Sequence, residues 1–241
     1  MLRRWPLLAE IGRLGGRLTA ARLISLASFP LVAMLYGPGP FGVFAAYVGL
    51  ANIFWALMFA RYELAIVPSR SEGEAKAITA AALLLGSTIV VLAAVFAAAA
   101  YRYGLSTPIF GQHTAAVLLL PLSLAGRGSF RLALSWATRR GEFHVLANAA
   151  IGQAVAQIAV QLTLAFTPLD PVVALALGDV AGNALASAAA SAKMLGRRTT
   201  PWRPWPRARE IRAAMRHWSQ LPLFSLPSAV LAICGANLPI I

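Results

Sequence analysis

The chain has 241 residues, of which 59% are hydrophobic and only 12% charged. A soluble domain carries about 25% charged residues, so a single water-soluble core is excluded and lipid must solvate much of this surface. The charge is strongly unbalanced, with 21 Lys and Arg against 8 Asp and Glu and a net charge of +13. In a soluble protein this would suggest a nucleic-acid partner. Here the arginines border apolar segments, which predicts a membrane protein with no nucleic-acid partner.

Apolar stretches long enough to cross a bilayer follow one another along the chain. About 20 apolar residues span the hydrocarbon layer, and six such stretches are predicted, at residues 18–36, 41–60, 75–100, 114–138, 145–166 and 172–195. A seventh begins near residue 221 and reaches residue 241. The predicted fold class is therefore all-α, a polytopic membrane helix bundle with six complete transmembrane helices and a partial seventh.

Composition divides the chain into three predicted parts. Residues 1–195 form an N-terminal six-helix transmembrane lobe, residues 196–220 a basic amphipathic cytoplasmic linker, and residues 221–241 the truncated start of a second lobe. With the N-terminus in the cytoplasm, 18 Lys and Arg fall in cytoplasmic segments and one, Arg102, falls in an outside loop. Cytoplasmic loops are the ones enriched in Lys and Arg, so we predict a cytoplasmic N-terminus.

The linker carries apolar residues at helical spacing. Ile211, Ala214, Met215 and Trp218 recur on one face, and arginines occupy the rest of the wheel. This pattern is typical of an amphipathic helix lying on the inner leaflet, where anionic lipids would be partners. The alternative is a simple linker that joins two helix bundles.

Arginines within the spans are the informative charges, because each costs about 2.5–3.5 kcal/mol at the bilayer centre on insertion scales. Arg127 lies near the middle of the fourth span and Arg131 lies one turn nearer the cytoplasm; with Ser123 and Ser135 they recur every fourth residue. This stripe must face protein or water, and it predicts a cavity that admits an anion. Arg22 would point inward at the cytoplasmic mouth. The alternatives are structural arginines that bind nearby carbonyls, and snorkelling for Arg131 and Arg22.

The fifth and sixth spans add polar groups. Gln153 and Gln157 lie one turn apart on the fifth span, where amides can bind sugar hydroxyls or link helices. Asp179 lies in the middle of the sixth span, between Gly178 and Gly182. The two glycines favour close helix packing. For Asp179 we weigh two roles, carrying a coupling ion or forming a structural ion pair.

Signals for an enzyme are missing from the sequence. The three histidines are far apart, and no His, Cys and carboxylate cluster resembles a metal site. No glycine-rich phosphate loop or nucleophile elbow is present. We therefore predict no enzyme activity, no catalytic residue, no metal and no cofactor.

Three segments resemble motifs of one membrane-protein family. They are residues 35–42 (LYGPGPFG), residues 61–68 (RYELAIVP) and residues 138–143 (TRRGEF). In this order and spacing they resemble the inter-helix connections of bacterial polysaccharide or O-antigen (lipopolysaccharide biosynthesis) flippases, which belong to the multidrug/oligosaccharidyl-lipid/polysaccharide exporter superfamily.

The resemblance implies a function. Members of that family have two six-helix lobes around a central cavity and move an undecaprenyl-pyrophosphate-linked oligosaccharide across the bacterial cytoplasmic membrane. On this basis Arg22, Arg127 and Arg131 would hold the pyrophosphate, with Gln153 and Gln157 as further substrate-binding residues. The chain would correspond to the N-terminal lobe, so a missing second lobe or a partner chain is expected. The implied localisation is the bacterial inner membrane, with several passes.

Two other functions remain open from the sequence. One is a membrane glycan polymerase or ligase acting on the same lipid carrier, although the outside loops are short. The other is a non-catalytic scaffold of an envelope complex, whose basic cytoplasmic segment grips anionic lipid or a partner protein. A scaffold would tolerate replacement of Arg127, and a flippase would not.

Overall fold

The computed structural model describes residues 23, 26–105, 110–195 and 205–237, and within these ranges every regular element is helical. The α-helices in chain order are α1 Leu26–Tyr36, α2 Pro38–Leu57, α3 Glu72–Arg102, α4 Leu120–Arg139, α5 Phe143–Leu164, α6 Pro171–Leu195, α7 Ala208–His217 and α8 Leu226–Asn237. Short 3₁₀ helices, Tyr62–Ile66 and Thr114–Leu119, precede α3 and α4, and a π-helical turn, Leu221–Ser225, precedes α8.

Within the described ranges, four helical segments are long and apolar enough to cross a membrane. They are Pro38–Leu57, Glu72–Arg102, Thr114–Arg139 and Pro171–Ala192. They match the second, third, fourth and sixth predicted spans, so the all-α class and the prediction of several membrane helices are confirmed. Helices α1 and α5 lie at the positions of the first and fifth predicted spans.

The connection between α1 and α2 is shorter than the sequence predicted. The predicted turn at residues 37–40 is reduced to Gly37, whose φ of +82° is open to glycine at no steric cost. Helix α2 therefore begins at Pro38 rather than at Phe41, because proline is pre-organised for the first helical positions. Ser71 caps the start of α3, accepting a hydrogen bond from the backbone N–H of Glu74 at 3.1 Å.

Helices α5 and α6 pack backbone to backbone over much of their length. A Cβ atom on Gly182 would lie 2.9 Å from the backbone oxygen of Gln153, and one on Gly178 would lie 3.0 Å from the backbone oxygen of Gln157. No larger side chain fits at these two positions, so the predicted close packing through small residues is confirmed. On another face of α6, Asn183 packs against Gly126 of α4.

The amphipathic helix α7 packs on the protein. Its residue Ile211 is buried against Ala80 and Ala81 of α3. The Tyr62 hydroxyl donates to the Met215 carbonyl at 3.3 Å. The apolar face that we predicted would lie in the inner leaflet is thus covered by α3 and the connection before it, because these elements expose small apolar side chains that fit it.

A partly buried arginine, Arg139, lies at the same end of the bundle. Nη1 of Arg139, at the end of α4, donates to the carbonyl oxygens of Ile66, Val67 and Ser69 and to Oγ of Ser69, at 2.7–3.1 Å. These oxygens lie at the end of the 3₁₀ helix Tyr62–Ile66, where helical partners are missing. Arg139 therefore has a structural role, joining α4 to the connection between α2 and α3.

At the opposite end of the bundle, a hydrogen bond joins His113 and Asp170. Oδ2 of Asp170 lies 2.7 Å from Nδ1 of His113, and Oδ1 accepts from the backbone N–H of Val172 at 2.9 Å. Burial opposes the charged carboxylate, but the hydrogen bonds from His113 and from two backbone N–H groups outweigh burial, and the pKa of Asp170 is lowered. The contact holds the start of α6 against the segment that leads into α4.

Candidate functional site

A cavity of about 420 Å³ lies among α2, α4, α5 and α6. Its volume falls within the range of small-molecule sites. Amide and charged groups converge on a partly apolar wall. The lining residues are Val48, Asn52, Trp55, Arg127, Phe130, Arg131, Leu134, Gln153, Gln157, Asp179 and Asn183.

Arg127 reaches the cavity from α4 with each of its side-chain nitrogens engaged. Nη2 forms an ion pair with Oδ1 of Asp179 at 2.9 Å, Nη1 donates to Oδ1 of Asn52 at 2.9 Å, and Nε donates to Oγ of Ser123 at 3.2 Å. Three helices therefore share one guanidinium. Arg127 lines the cavity, and residues of α2, α4 and α6 accept hydrogen bonds from three of its five N–H donors.

Asp179 is fixed as firmly as its partner. It is 4% exposed, and its Oδ2 accepts from Oγ of Ser123 at 2.5 Å while its Oδ1 accepts from Nδ2 of Asn183 at 3.1 Å. Of the two roles weighed for Asp179, the geometry supports the ion pair, because its charge is offset by Arg127 and its oxygens are occupied. A buried pair of this kind needs such additional hydrogen bonds to be tolerated.

Arg131 differs from Arg127 although it lies only one turn away. Its Nε is buried and hydrogen-bonds to no described residue, and no described carboxylate pairs with its guanidinium. The nearest specific contact is with the Trp55 ring, whose centroid lies 5.8 Å from Cζ, at the outer limit of a cation–π interaction. A buried guanidinium nitrogen without an acceptor is costly. The Nη groups, which are not buried and hydrogen-bond to no described residue, are the donors that an anion in the cavity could reach.

The glutamines of α5 divide between two roles. Gln153 donates through Nε2 to Oδ1 of Asn183 at 2.8 Å, and Gln161 donates to the Leu175 carbonyl at 3.1 Å, so both link α5 to α6. Gln157 lines the cavity, and its side-chain amide has no hydrogen-bond partner among the described residues. Gln157 is therefore the predicted amide that remains available to a ligand.

The structure brings together five of the six predicted site residues. Arg127, Arg131, Gln153, Gln157 and Asp179 all line one cavity, whereas Arg22 lies outside the described residues. Sequence reasoning missed the two lining residues of α2 that contact the arginines, Asn52 and Trp55. Asn52 carried a usable signal, because an amide in an apolar span needs a partner.

Trp55 carried no signal of its own. Near the end of an apolar span, a tryptophan is the ordinary anchor at a membrane interface. It takes its place beside Arg131 only because α2 and α4 face each other at this depth. Nothing in the local sequence sets that rotation.

The described part of the chain contains no group of three or more His, Cys, Asp or Glu side chains placed to bind a metal ion. The charged groups lining the cavity are two arginines and one aspartate, so an anion is the ligand that its electrostatics favours. Comparison with known proteins gives no match to a protein family, to a curated protein or to a solved structure.

Proposed function

We propose that the chain binds an undecaprenyl-pyrophosphate-linked oligosaccharide and serves in its translocation across the bacterial cytoplasmic membrane. In this proposal residues 1–195 form a lobe of six transmembrane helices with a cytoplasmic N-terminus, and the segment from residue 221 starts a seventh. The proposal joins the family resemblance of the inter-helix connections to the chemistry of the cavity.

The observation that carries the proposal is that the guanidinium of Arg131 lines the cavity without a described carboxylate or hydrogen-bond acceptor beside it. Arginine presents a planar fork of donors that matches phosphate oxygens. The attraction is stronger in a site of low dielectric constant than in water. A phosphate in the cavity would accept hydrogen bonds from the Nη groups of Arg131, which are not buried and hydrogen-bond to no described residue.

The other lining groups suit the sugar part of such a headgroup. The free amide of Gln157 can donate to and accept from hydroxyl groups. Trp55 and Phe130 supply apolar surface for the C–H faces of a sugar ring. The polyprenyl tail would remain in the lipid, since the cavity is small and its centre is polar.

Translocation would need a second structural unit. Membrane transporters of this kind expose a site alternately to the two sides by moving one bundle against another. A second lobe or a partner chain would supply the opposing surface. The role proposed for the described lobe is to hold the headgroup.

The test is a replacement in the cell. With Arg131→Gln in the chromosomal gene, we expect loss of the surface polysaccharide and accumulation of its lipid-linked precursor on the inner leaflet, while the protein remains in the membrane at the normal level. Arg102→Gln is the matched control, because Arg102 is exposed at the far end of α3.

The outcomes separate the alternatives. Unchanged surface polysaccharide with Arg131→Gln would overturn the proposal and favour a scaffold. Single repeat units that reach the outer leaflet without being joined into chains would favour a polymerase or ligase. If the Arg131→Gln protein is lost from the membrane, Arg131→Lys replaces it in the test. Lysine keeps the positive charge but lacks the planar fork of donors, so this variant should restore part of the surface polysaccharide.

Anionic lipids are proposed as partners of α7. With its apolar face packed on α3, α7 exposes Arg209, Arg212 and Arg216. Each arginine near an anionic surface contributes about 1 kcal/mol of attraction. Phosphatidylglycerol nanodiscs should raise the melting temperature relative to phosphatidylcholine, and replacing these three arginines with glutamine should remove the difference. An equal rise in the triple variant would contradict this partner.

A further inference from the structure

The charges that line the cavity are divided into a neutral pair and one free cation. Arg127 and Asp179 are joined at 2.9 Å, whereas Arg131 has no described carboxylate beside it. Among the described lining residues these three are the only charged ones. The free positive charge in the cavity is therefore that of Arg131.

The neutral pair is held on both sides. Ser123 and Asn183 donate to the oxygens of Asp179, so the carboxylate is not free to swing away from Arg127. On the far side, Asn52 accepts from Nη1 of Arg127. Residues of α4 and α6 thus hold the carboxylate and a residue of α2 holds the guanidinium, and neither group can move without losing a hydrogen bond.

A doubly charged cavity would bind a pyrophosphate much more strongly than a singly charged one. A unit charge several ångströms from the ligand changes affinity by about tenfold or more at the effective dielectric constants of proteins. Transport requires binding that is strong enough for entry and weak enough for release. The negative charge of Asp179 in the cavity wall would keep the affinity for pyrophosphate within that range.

We infer that Asp179 is a positioning residue that keeps Arg127 out of anion binding and thereby sets the affinity of the cavity, leaving Arg131 as its phosphate ligand. This inference rests on the proposed function. It assigns to Asp179 a role other than carrying a coupling ion, and it separates two arginines that the sequence treated as equivalent.

The experiment is a double-mutant cycle of the charged residues, in which the affinity for undecaprenyl pyrophosphate is measured. The purified 241-residue protein, in phosphatidylcholine nanodiscs, is compared with Asp179→Asn, Arg127→Gln, the double variant and Arg131→Gln. Asp179→Asn keeps the shape of the side chain while freeing Arg127, so we expect binding that is about tenfold or more tighter. Arg127→Gln leaves Asp179 unpaired and repulsive, so binding should weaken by a similar factor.

The double variant decides the inference. It restores the original charge of the cavity, so its affinity should lie within about threefold of the wild type, a rescue that a merely structural role for Asp179 does not predict. A double variant as weak as Arg127→Gln would overturn the inference, because Arg127 would then be a direct ligand. If Asp179→Asn does not fold, the double variant still carries the test, since it leaves no unpaired buried charge.

Failure of the proposed function would look different. If undecaprenyl pyrophosphate binds Arg131→Gln as well as it binds the wild type, the cavity is not its site and the inference falls with the proposed function. If Arg131→Gln abolishes binding but Asp179→Asn does not strengthen it, the proposed function survives and the role of Asp179 is wrong.

Discussion

Two arginines on the same helix, Arg131 at the cavity and Arg139 at the end of α4, have opposite surroundings. Arg139 donates to four oxygen atoms of the connection before α3. Nε of Arg131 donates to none, and the residue lines a cavity. Both lie in or near the membrane, so depth alone does not separate them.

The difference shows how a structural arginine can be told from a candidate ligand. A buried donor must find an acceptor somewhere, so a guanidinium whose acceptors are all protein atoms is part of the framework. One that lacks them beside an open cavity points to an acceptor that arrives from outside. Arg127, with all three nitrogens engaged, belongs with Arg139 by this criterion.

A substitution in the α5–α6 contact behind the cavity should lower the stability of the protein the most. Gly182→Val would push a side chain into the backbone of α5, where a Cβ atom already lies 2.9 Å from the Gln153 oxygen. We expect destabilisation of about 3 kcal/mol or more, as in overpacked cores, measured as the free energy of unfolding in an SDS titration. Gly152→Val on α5 is the control, since nothing lies within 4 Å of its Cβ position. Equal effects would contradict the close α5–α6 contact.

Replacement of Arg139 should have the next largest effect on the free energy of unfolding. Arg139→Gln removes charge-assisted hydrogen bonds to the end of the 3₁₀ helix Tyr62–Ile66. Hydrogen bonds to charged groups are worth about 1.5–3 kcal/mol, so we expect a loss of about 2–3 kcal/mol in the same unfolding measurement. Arg102→Gln, at the exposed end of α3, should change the free energy of unfolding by less than about 0.5 kcal/mol. A loss for Arg139→Gln no larger than that of the control would refute its structural role.

The α7 contact should have a smaller effect. Trp218 donates through Nε1 to Oε1 of Glu74 at 3.0 Å. Trp218→Phe removes this hydrogen bond but keeps an aromatic ring, and it should cost about 1 kcal/mol. The same change at Trp205, which is 51% exposed, is the control. Faster proteolysis after residue 205 in Trp218→Phe alone would confirm that the bond holds α7 on α3.

Arg131 should give the smallest effect on stability. Arg131→Gln removes a charge whose Nε has no protein acceptor, so the free energy of unfolding should change by less than about 0.5 kcal/mol or rise slightly. Arg131→Gln should therefore cost much less free energy of unfolding than Arg139→Gln. If Arg131→Gln destabilises the protein by 2 kcal/mol or more, Arg131 is part of the framework and the comparison of the two arginines fails.

Sequence reasoning identified what depends on local chemistry. Four of the six predicted apolar spans and the Gly178–Gly182 contact follow from hydropathy and residue size, and the structure confirms them. The polar stripe of α4 was also visible, because its period places Arg127 and Arg131 on one face.

The contacts that the sequence did not predict depend on how the helices are rotated against one another. Whether Asp179 meets Arg127 or Arg131 is decided by the packing of α4 on α6, where Gly126 admits Asn183. The contribution of Asn52 from α2 is of the same kind. The position of α7 also depends on a tertiary surface, since its apolar face suits either lipid or α3 equally well by composition.

The account is tested most directly by the binding of a lipid-linked oligosaccharide to the purified protein in neutral nanodiscs, with Arg131→Gln as the comparison. We predict saturable binding by the wild-type protein and affinity at least tenfold lower in the variant, with unchanged helical content and unfolding free energy. Equal affinity in the two proteins would contradict the central role given to the unpaired guanidinium.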